Sequence, residues 1–226
     1  MLPLFLAYSV ALAITAYADA HGANATVNSN ETSNRQSLTV LMSLSPLPER
    51  AAPTFSLIDQ YGSSVSLSRF HGKSVLLAFI DSRCTEVCPV EAQEFLDAER
   101  DLGPRARDVV FVGVNVNPHA NSVHDVKLFT SSHGLGTMKN WYFLTGSLAQ
   151  LLPVWRAYGI EVIVPKNGQQ TTHSSYIYFL NPLGRERFLA DASVIQRRNN
   201  TGFLPGNLVK QWGEGIARYL KQSANG

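Results

Sequence analysis

The chain has 226 residues, 45% of them hydrophobic and 16% charged, and a formal net charge of +2. That length suits one globular domain of roughly 100–200 residues with a tail. So small a charge, without a Lys or Arg cluster or an internal repeat, argues against nucleic acid and against an anionic membrane surface as partners.

The N-terminus differs from the rest of the chain. Met1 to Ala18 carries no charged side chain and is rich in Leu, Ala, Val and Ile. It runs into Ala18-Asp19-Ala20, a small-x-small cleavage pattern, and Ala16-Tyr17-Ala18 offers a second one. The apolar run of about 17 residues lies at the lower edge of what spans a ~30 Å hydrocarbon core. Residues 1–20 are therefore read as a signal peptide or an N-terminal membrane anchor. The domain is then exported, periplasmic or facing the periplasm. No Cys lies near the segment to carry a lipid.

Residues 21–52 read as a flexible polar linker. His21 to Ser37 is dominated by Asn, Ser, Thr and Ala with little apolar periodicity, too polar to offset its ordering entropy. Leu38 to Leu44 is apolar enough to dock, and Ser45-Pro46-Leu47-Pro48 breaks regular structure. Residues 53–226 form the predicted domain. Phe55–Ile58 and Ser63–Leu67 flank Tyr61-Gly62 as a hairpin. Ser74–Ile80 and Asp108–Val114 are near-continuous apolar runs, the pattern of strands buried on both faces. A helix is predicted over 86–102, stopped by Gly103-Pro104, and further helices over about 122–133 and 147–158. Strands are predicted at 141–144, 162–164, 175–180 and 185–189, the last two joined by the turn Asn181-Pro182-Leu183-Gly184. A closing helix over about 207–221 carries Leu208, Val209, Trp212, Ile216 and Tyr219 or Leu220 at helical spacing, a core-facing stripe. The order predicts an α/β layered domain: parallel strands joined by helices, then an antiparallel pair that closes the sheet.

Cys84 and Cys88, the chain's two cysteines, stand where the first buried strand gives way to a helix, and Pro89 follows them. Functional groups gather at the carboxyl ends of such strands. A helix N-terminus also favours a thiolate, because its unpaired N–H groups and dipole stabilise the anion. Arg83 would add to this and Glu86 would oppose it. Spacing alone leaves three readings open: a structural disulfide, a redox dithiol, and a soft-metal site. The disulfide is the weakest of them, since so short a loop removes little chain entropy. The i, i+4 spacing places both sulfurs on one side of a first helical turn.

These residues resemble the Sco/SenC family of copper chaperone and oxidase-assembly proteins. The similar stretches are Pro53-Thr54-Phe55-Ser56-Leu57 with Asp59-Gln60-Tyr61-Gly62, then Gly72-Lys73, Cys84-Thr85-Glu86-Val87-Cys88-Pro89, Leu144-Thr145-Gly146-Ser147, and His173-Ser174-Ser175 running into Asn181-Pro182-Leu183-Gly184-Arg185. The resemblance implies a thioredoxin-like fold: a central mixed sheet flanked by helices, with an N-terminal β-hairpin extension. It implies copper, as Cu(I) or Cu(II), held by Cys84, Cys88 and His173, with Cys84 and Cys88 also able to cycle as a redox dithiol. It implies delivery of copper to the dinuclear copper centre of cytochrome c oxidase, reduction of that subunit's cysteines, or both. The partner is then that subunit or another exported copper protein.

The residues themselves add to this. His173 stands before the predicted strand 175–180, whose preceding loop faces the dithiol helix in such a layout, whereas His21, His71, His119, His124 and His133 have no such placement. Two thiolates suit Cu(I), and an imidazole accommodates Cu(II) as well. One departure is plain: the family commonly carries Val-Asp-Pro-x-x-Asp-Thr where this chain has Val116-Asn117-Pro118-His119-Ala120-Asn121-Ser122. Both acids are amides here, which predicts a less negative site with lower thiol pKa values. Asp81 and Arg83 are atypical as well. The alternative reading is an extracytoplasmic thiol–disulfide oxidoreductase without physiological copper. Two further ones carry less: zinc on the same three ligands, where no general base is evident, and a peroxiredoxin-like peroxidase, whose Pro-x-x-x-Thr-x-x-Cys pattern is lacking around Cys84. Cleavage after Ala20 would expose His21 as a second copper chelator. Asn24, Asn30 and Asn199 begin glycosylation sequons, relevant in a eukaryotic secretory route.

Overall fold

The computed structural model describes residues 29–164, 171–192 and 205–224. In chain order the elements are α1 (Ser29–Leu41), β1 (Ser45–Pro46), β2 (Ser56–Ile58), β3 (Ser64–Ser66), β4 (Ser74–Ile80), α2 (Cys88–Leu102), β5 (Val109–Asn115), α3 (Val123–Ser132), β6 (Trp141–Leu144), α4 (Leu148–Ala157), β7 (Val162–Ile163), β8 (Thr172–His173), β9 (Tyr176–Leu180), β10 (Glu186–Asp191) and α5 (Gly206–Ser223).

The apolar runs of β4 and β5 are buried at every position. They pair in parallel from Ser74 opposite Val109 to Ile80 opposite Asn115. Side chains alternate across a strand. Leu76, Ala78, Ile80 and Phe111 therefore join a core with Ala92, Phe95 and Ala98 of α2 and Trp212, Ile216 and Leu220 of α5. Val75, Leu77, Phe79, Val110, Val112 and Val114 form a second core with Leu57 and Val65 of the β2–β3 hairpin and Leu151, Val154 and Trp155 of α4. Burial on both faces is why these strands read as continuous rather than alternating.

The main sheet runs β1-β10-β9-β4-β5-β6. β4, β5 and β6 are parallel, whereas β9 runs antiparallel to both β4 and β10. This is the predicted order of parallel strands joined by helices and closed by an antiparallel pair. The hairpin is held to the end of β6 by the Ile58–Thr145 bridge.

Two local differences from the sequence reading matter. Ser29–Leu41, within the stretch read as a linker, is helical, and β1 pairs with β10. Leu38, Met42 and Leu44 are buried, and Thr39 shares a 2.6 Å hydrogen bond with Tyr219 of α5. The docking expected of Leu38 to Leu44 is seen, and the helix before it was not expected. Helix α2 starts at Cys88 rather than 86, since Pro89, lacking an N–H, suits a first turn. Residues 1–28 lie outside the described residues, as do the signal or anchor reading, His21, Asn24 and Asn199. Among the described residues no helix is long and apolar enough to cross a membrane.

Candidate functional site

The chain leaves β4 at Ile80 and turns through Asp81–Val87 into α2. Asp81 Oδ1 accepts the Arg83 N–H at 2.7 Å and the Asn117 side-chain N–H at 2.8 Å. The Asp81 carbonyl takes the Cys84 N–H at 3.1 Å. Ser82 is held from below: its N–H donates to Asn115 Oδ1 at 3.2 Å and its hydroxyl to the Ala120 carbonyl at 2.6 Å. Buried polar groups with partners of this kind fix a loop in one conformation.

Val87 precedes α2 without a side-chain cap, so the N–H groups of the first turn need an acceptor. Cys84 Sγ supplies one, accepting from the Cys88 N–H at 3.5 Å. Both cysteines are free thiols, Cys84 half-buried and Cys88 buried. A hydrogen bond from the Cys88 thiol, helped by the backbones of Cys88, Glu86 and Val87, outweighs burial and lowers the Cys84 thiol to about 6. Donating that bond pushes Cys88 well above the ordinary thiol range, and burial and the Glu91 carboxyl push it further. At neutral pH the pair is thus a thiolate at Cys84 held by a thiol at Cys88.

The neighbours act differently from the sequence reading. Arg83 reaches away to Asp125 on α3, at 3.2 Å, and the lowering at Cys84 comes from the cysteine partner and the helix backbone. Glu86 favours the thiolate through its backbone. Sequence reasoning missed Glu91 altogether. It is 2% exposed on the first turn of α2, with Oε2 lacking a hydrogen-bond partner among the described residues. Burial first, and then the Cys84 thiolate, raises its carboxyl to about 8. Its i+3 position after Cys88 was the available signal.

His173 sits on β8, paired opposite Val162 of β7, rather than at the head of the central strand β9. Its Nδ1 lies 3.1 Å from the Ser174 carbonyl. A carbonyl can only accept, so Nδ1 carries the proton and Nε2 keeps its lone pair for a ligand. Burial lowers the pKa of the ring, with the Ser174 carbonyl and the Asp81 carboxylate opposing, which leaves a neutral imidazole. The structure brings Cys84 and Cys88 together, and relates His173 to them through the charge of Asp81, in the turn before Cys84. Among the described residues it shows no group of three His, Cys, Asp or Glu side chains arranged to hold a metal ion. The donors nonetheless fit copper by type: a thiolate, a second thiol beside it, and an imidazole with a free nitrogen.

The amides of the departing segment have definite partners. Asn117 donates to Asp81, and its Oδ1 accepts the His119 N–H at 2.8 Å. Asn121 donates to the Gly146 carbonyl at 3.0 Å. A carboxylate, Asp81, thus lies across the hydrogen bond from the amide at 117.

A thiol pair capping the first helix after a central strand, on a mixed sheet flanked by helices, defines a thioredoxin-like dithiol protein. Residues 45–196 match the SCO1/SenC family, and the chain belongs to it. Among curated relatives, Protein sco1 of Schizosaccharomyces pombe is 25% identical over 138 residues, covering 58% of this chain and 51% of that protein. The chain spans about half the length of the curated relatives it matches first. The structure of Bradyrhizobium japonicum ScoI with copper bound superposes with a TM-score of 0.58 at 24% identity, covering 76% of this chain and 99% of that one. BsSco, described as having a disulfide switch and as a member of the Sco family of cytochrome c oxidase assembly proteins, superposes with a TM-score of 0.59 at 23% identity, covering 80% and 96%.

Proposed function

We propose that this protein binds copper through Cys84, Cys88 and His173, outside the cytoplasm, and serves the assembly of the dinuclear copper centre of cytochrome c oxidase. Residues 1–20 would act as the export signal or the tether. The observation that carries this reading is the donor set: a thiolate at neutral pH, a thiol hydrogen-bonded to it, and a neutral imidazole whose Nε2 is uncommitted. Copper supplies a thiophilic ion that passes between proteins by ligand exchange. The chain's residues supply the soft ligands, the helix N-terminus that stabilises the thiolate, and a hydrogen-bonded loop, anchored by buried Asp81 and Ser82, at the end of β4. The family membership and the copper-bound relative support the same reading.

One observation favours a second activity at the same site. The low Cys84 and high Cys88 pKa values are the division of labour of a dithiol reductase. Cys84 thiolate attacks a partner disulfide, forming a mixed disulfide and releasing one partner thiolate. Cys88, losing its proton, then attacks Cys84 and expels the second partner thiolate, leaving a Cys84–Cys88 disulfide and a reduced partner.

Copper titration of the reduced protein, followed by absorption and electron paramagnetic resonance, tests the first reading. A stoichiometric complex with a sulfur-to-copper(II) charge-transfer band that His173→Ala shifts or abolishes is expected. No stoichiometric copper, with a readily cycling Cys84–Cys88 disulfide, would leave the reductase alone.

A further inference from the structure

Asp81 is 2% exposed, an unusual place for a carboxylate beside a metal-binding loop. Its position is over-determined. Oδ1 takes the Arg83 backbone N–H and the Asn117 amide, at 2.7 and 2.8 Å. Asn117 is itself buried, and its N–H donates to Asn115 Oδ1 at 3.1 Å. The same residue shapes the turn that carries Cys84: its carboxylate takes the N–H of the residue just before that cysteine, and its carbonyl takes the Cys84 N–H at 3.1 Å. A turn alone would not need a charge here, because an Asn side chain offers the same acceptor oxygen to Arg83 and Asn117.

We propose that Asp81 is the specificity-determining residue of this site: its fixed negative charge favours copper(II) over copper(I) and so sets which oxidation state Cys84, Cys88 and His173 retain. This rests on the copper reading above. The physical reason is that a buried anion interacts more strongly with a doubly than with a singly charged ion, and water screens it little. Asn117 acts as a positioning residue, aiming the carboxylate by donating to it. A carboxylate at 117 in place of the amide would set two anions at 2.8 Å, so the amide and the acid belong together as a pair.

The test measures anaerobic copper(I) and copper(II) affinities of the full chain, each by competition with a chelator, for wild type, Asp81→Asn, and Asp81→Asn with Asn117→Asp. Asp81→Asn keeps the acceptor and removes the charge. It is expected to weaken copper(II) about tenfold more than copper(I), in keeping with one buried charge. The double variant returns the carboxylate to the other end of the same hydrogen bond and is expected to restore most of the ratio. Equal losses for both ions would mean that Asp81 only shapes the loop, and no loss for either would mean that its charge is not felt. Either result overturns the proposal while leaving copper binding intact. A wild-type protein that takes up neither ion overturns the copper reading itself, and this inference with it.

Discussion

Cys84 Sγ accepts hydrogen bonds from both the thiol and the N–H of Cys88, and that direction decides their chemistry. With its thiol lowered to about 6, Cys84 is largely ionised at neutral pH, whereas Cys88 holds its proton. Iodoacetamide should modify Cys84 with a rate that rises through a midpoint near pH 6 and leave Cys88 slow throughout. Cys88→Ala removes the largest influence on Cys84 and should move that midpoint upward; a profile that stayed in place would show that the helix N-terminus suffices. Glu91 titrates with the opposite consequence. Its folded-state pKa lies above the ordinary carboxylate value of about 4.3. Its contribution to stability is thus full at low pH and is lost as pH rises towards about 8. Glu91→Gln should therefore stabilise the protein at about pH 8.5 by on the order of 2 kcal/mol and have little effect at about pH 5. Urea unfolding at the two pH values checks this, and an equal effect at both would refute it.

At the scale of elements, α2 and α5 meet more closely than ordinary helices because Gly213 has no side chain. A Cβ there would lie 2.6 Å from Asp97 Cβ, 3.2 Å from the Ala98 nitrogen and 3.2 Å from the Glu94 carbonyl oxygen. Asp97 cannot retreat freely, since Arg100 and Gln93 hold its carboxylate at 2.7 and 3.1 Å. Gly213→Ala gains about 1 kcal/mol of helix propensity but meets backbone atoms and a tethered side chain. A net loss of about 1–3 kcal/mol is expected in chemical denaturation. A neutral or stabilising result would mean that α5 slides on α2 at little cost. Such sliding would also loosen the site, because Cys88 opens α2 and belongs to the same core as Trp212.

For the whole molecule, the informative segment is the one that precedes the domain. Leu38, Met42 and Leu44 are 5%, 0% and 8% exposed, and β1 extends the main sheet beside β10. A chain beginning at residue 45 loses those three side chains and uncovers part of α5. It should be about 2–5 kcal/mol less stable than the full chain, measured by urea titration. Equal stabilities would return residues 29–44 to the status of a linker. The placement also means that anything tethering residues 1–20 acts on a segment docked beside α5, close to the helix that packs on the dithiol element.

The sequence by itself determined the elements whose pattern is local. The runs of β4 and β5 are apolar at consecutive positions, α5 repeats its apolar residues at helical spacing, and Cys84, Cys88 and Pro89 mark the start of α2, so all could be read from neighbours in the chain. The family resemblance was legible for the same reason, since its motifs are short and contiguous. What only the tertiary structure decided depends on residues distant in sequence. The docking of α1 required α5, more than a hundred residues away. The position of His173 required β7, and the direction of Arg83 required Asp125. The charge at the site required both Asp81 and Asn117, 36 residues apart, to share one hydrogen bond. Hydrogen bonds and burial are set by what lies across the fold, and propensity and periodicity carry no record of it.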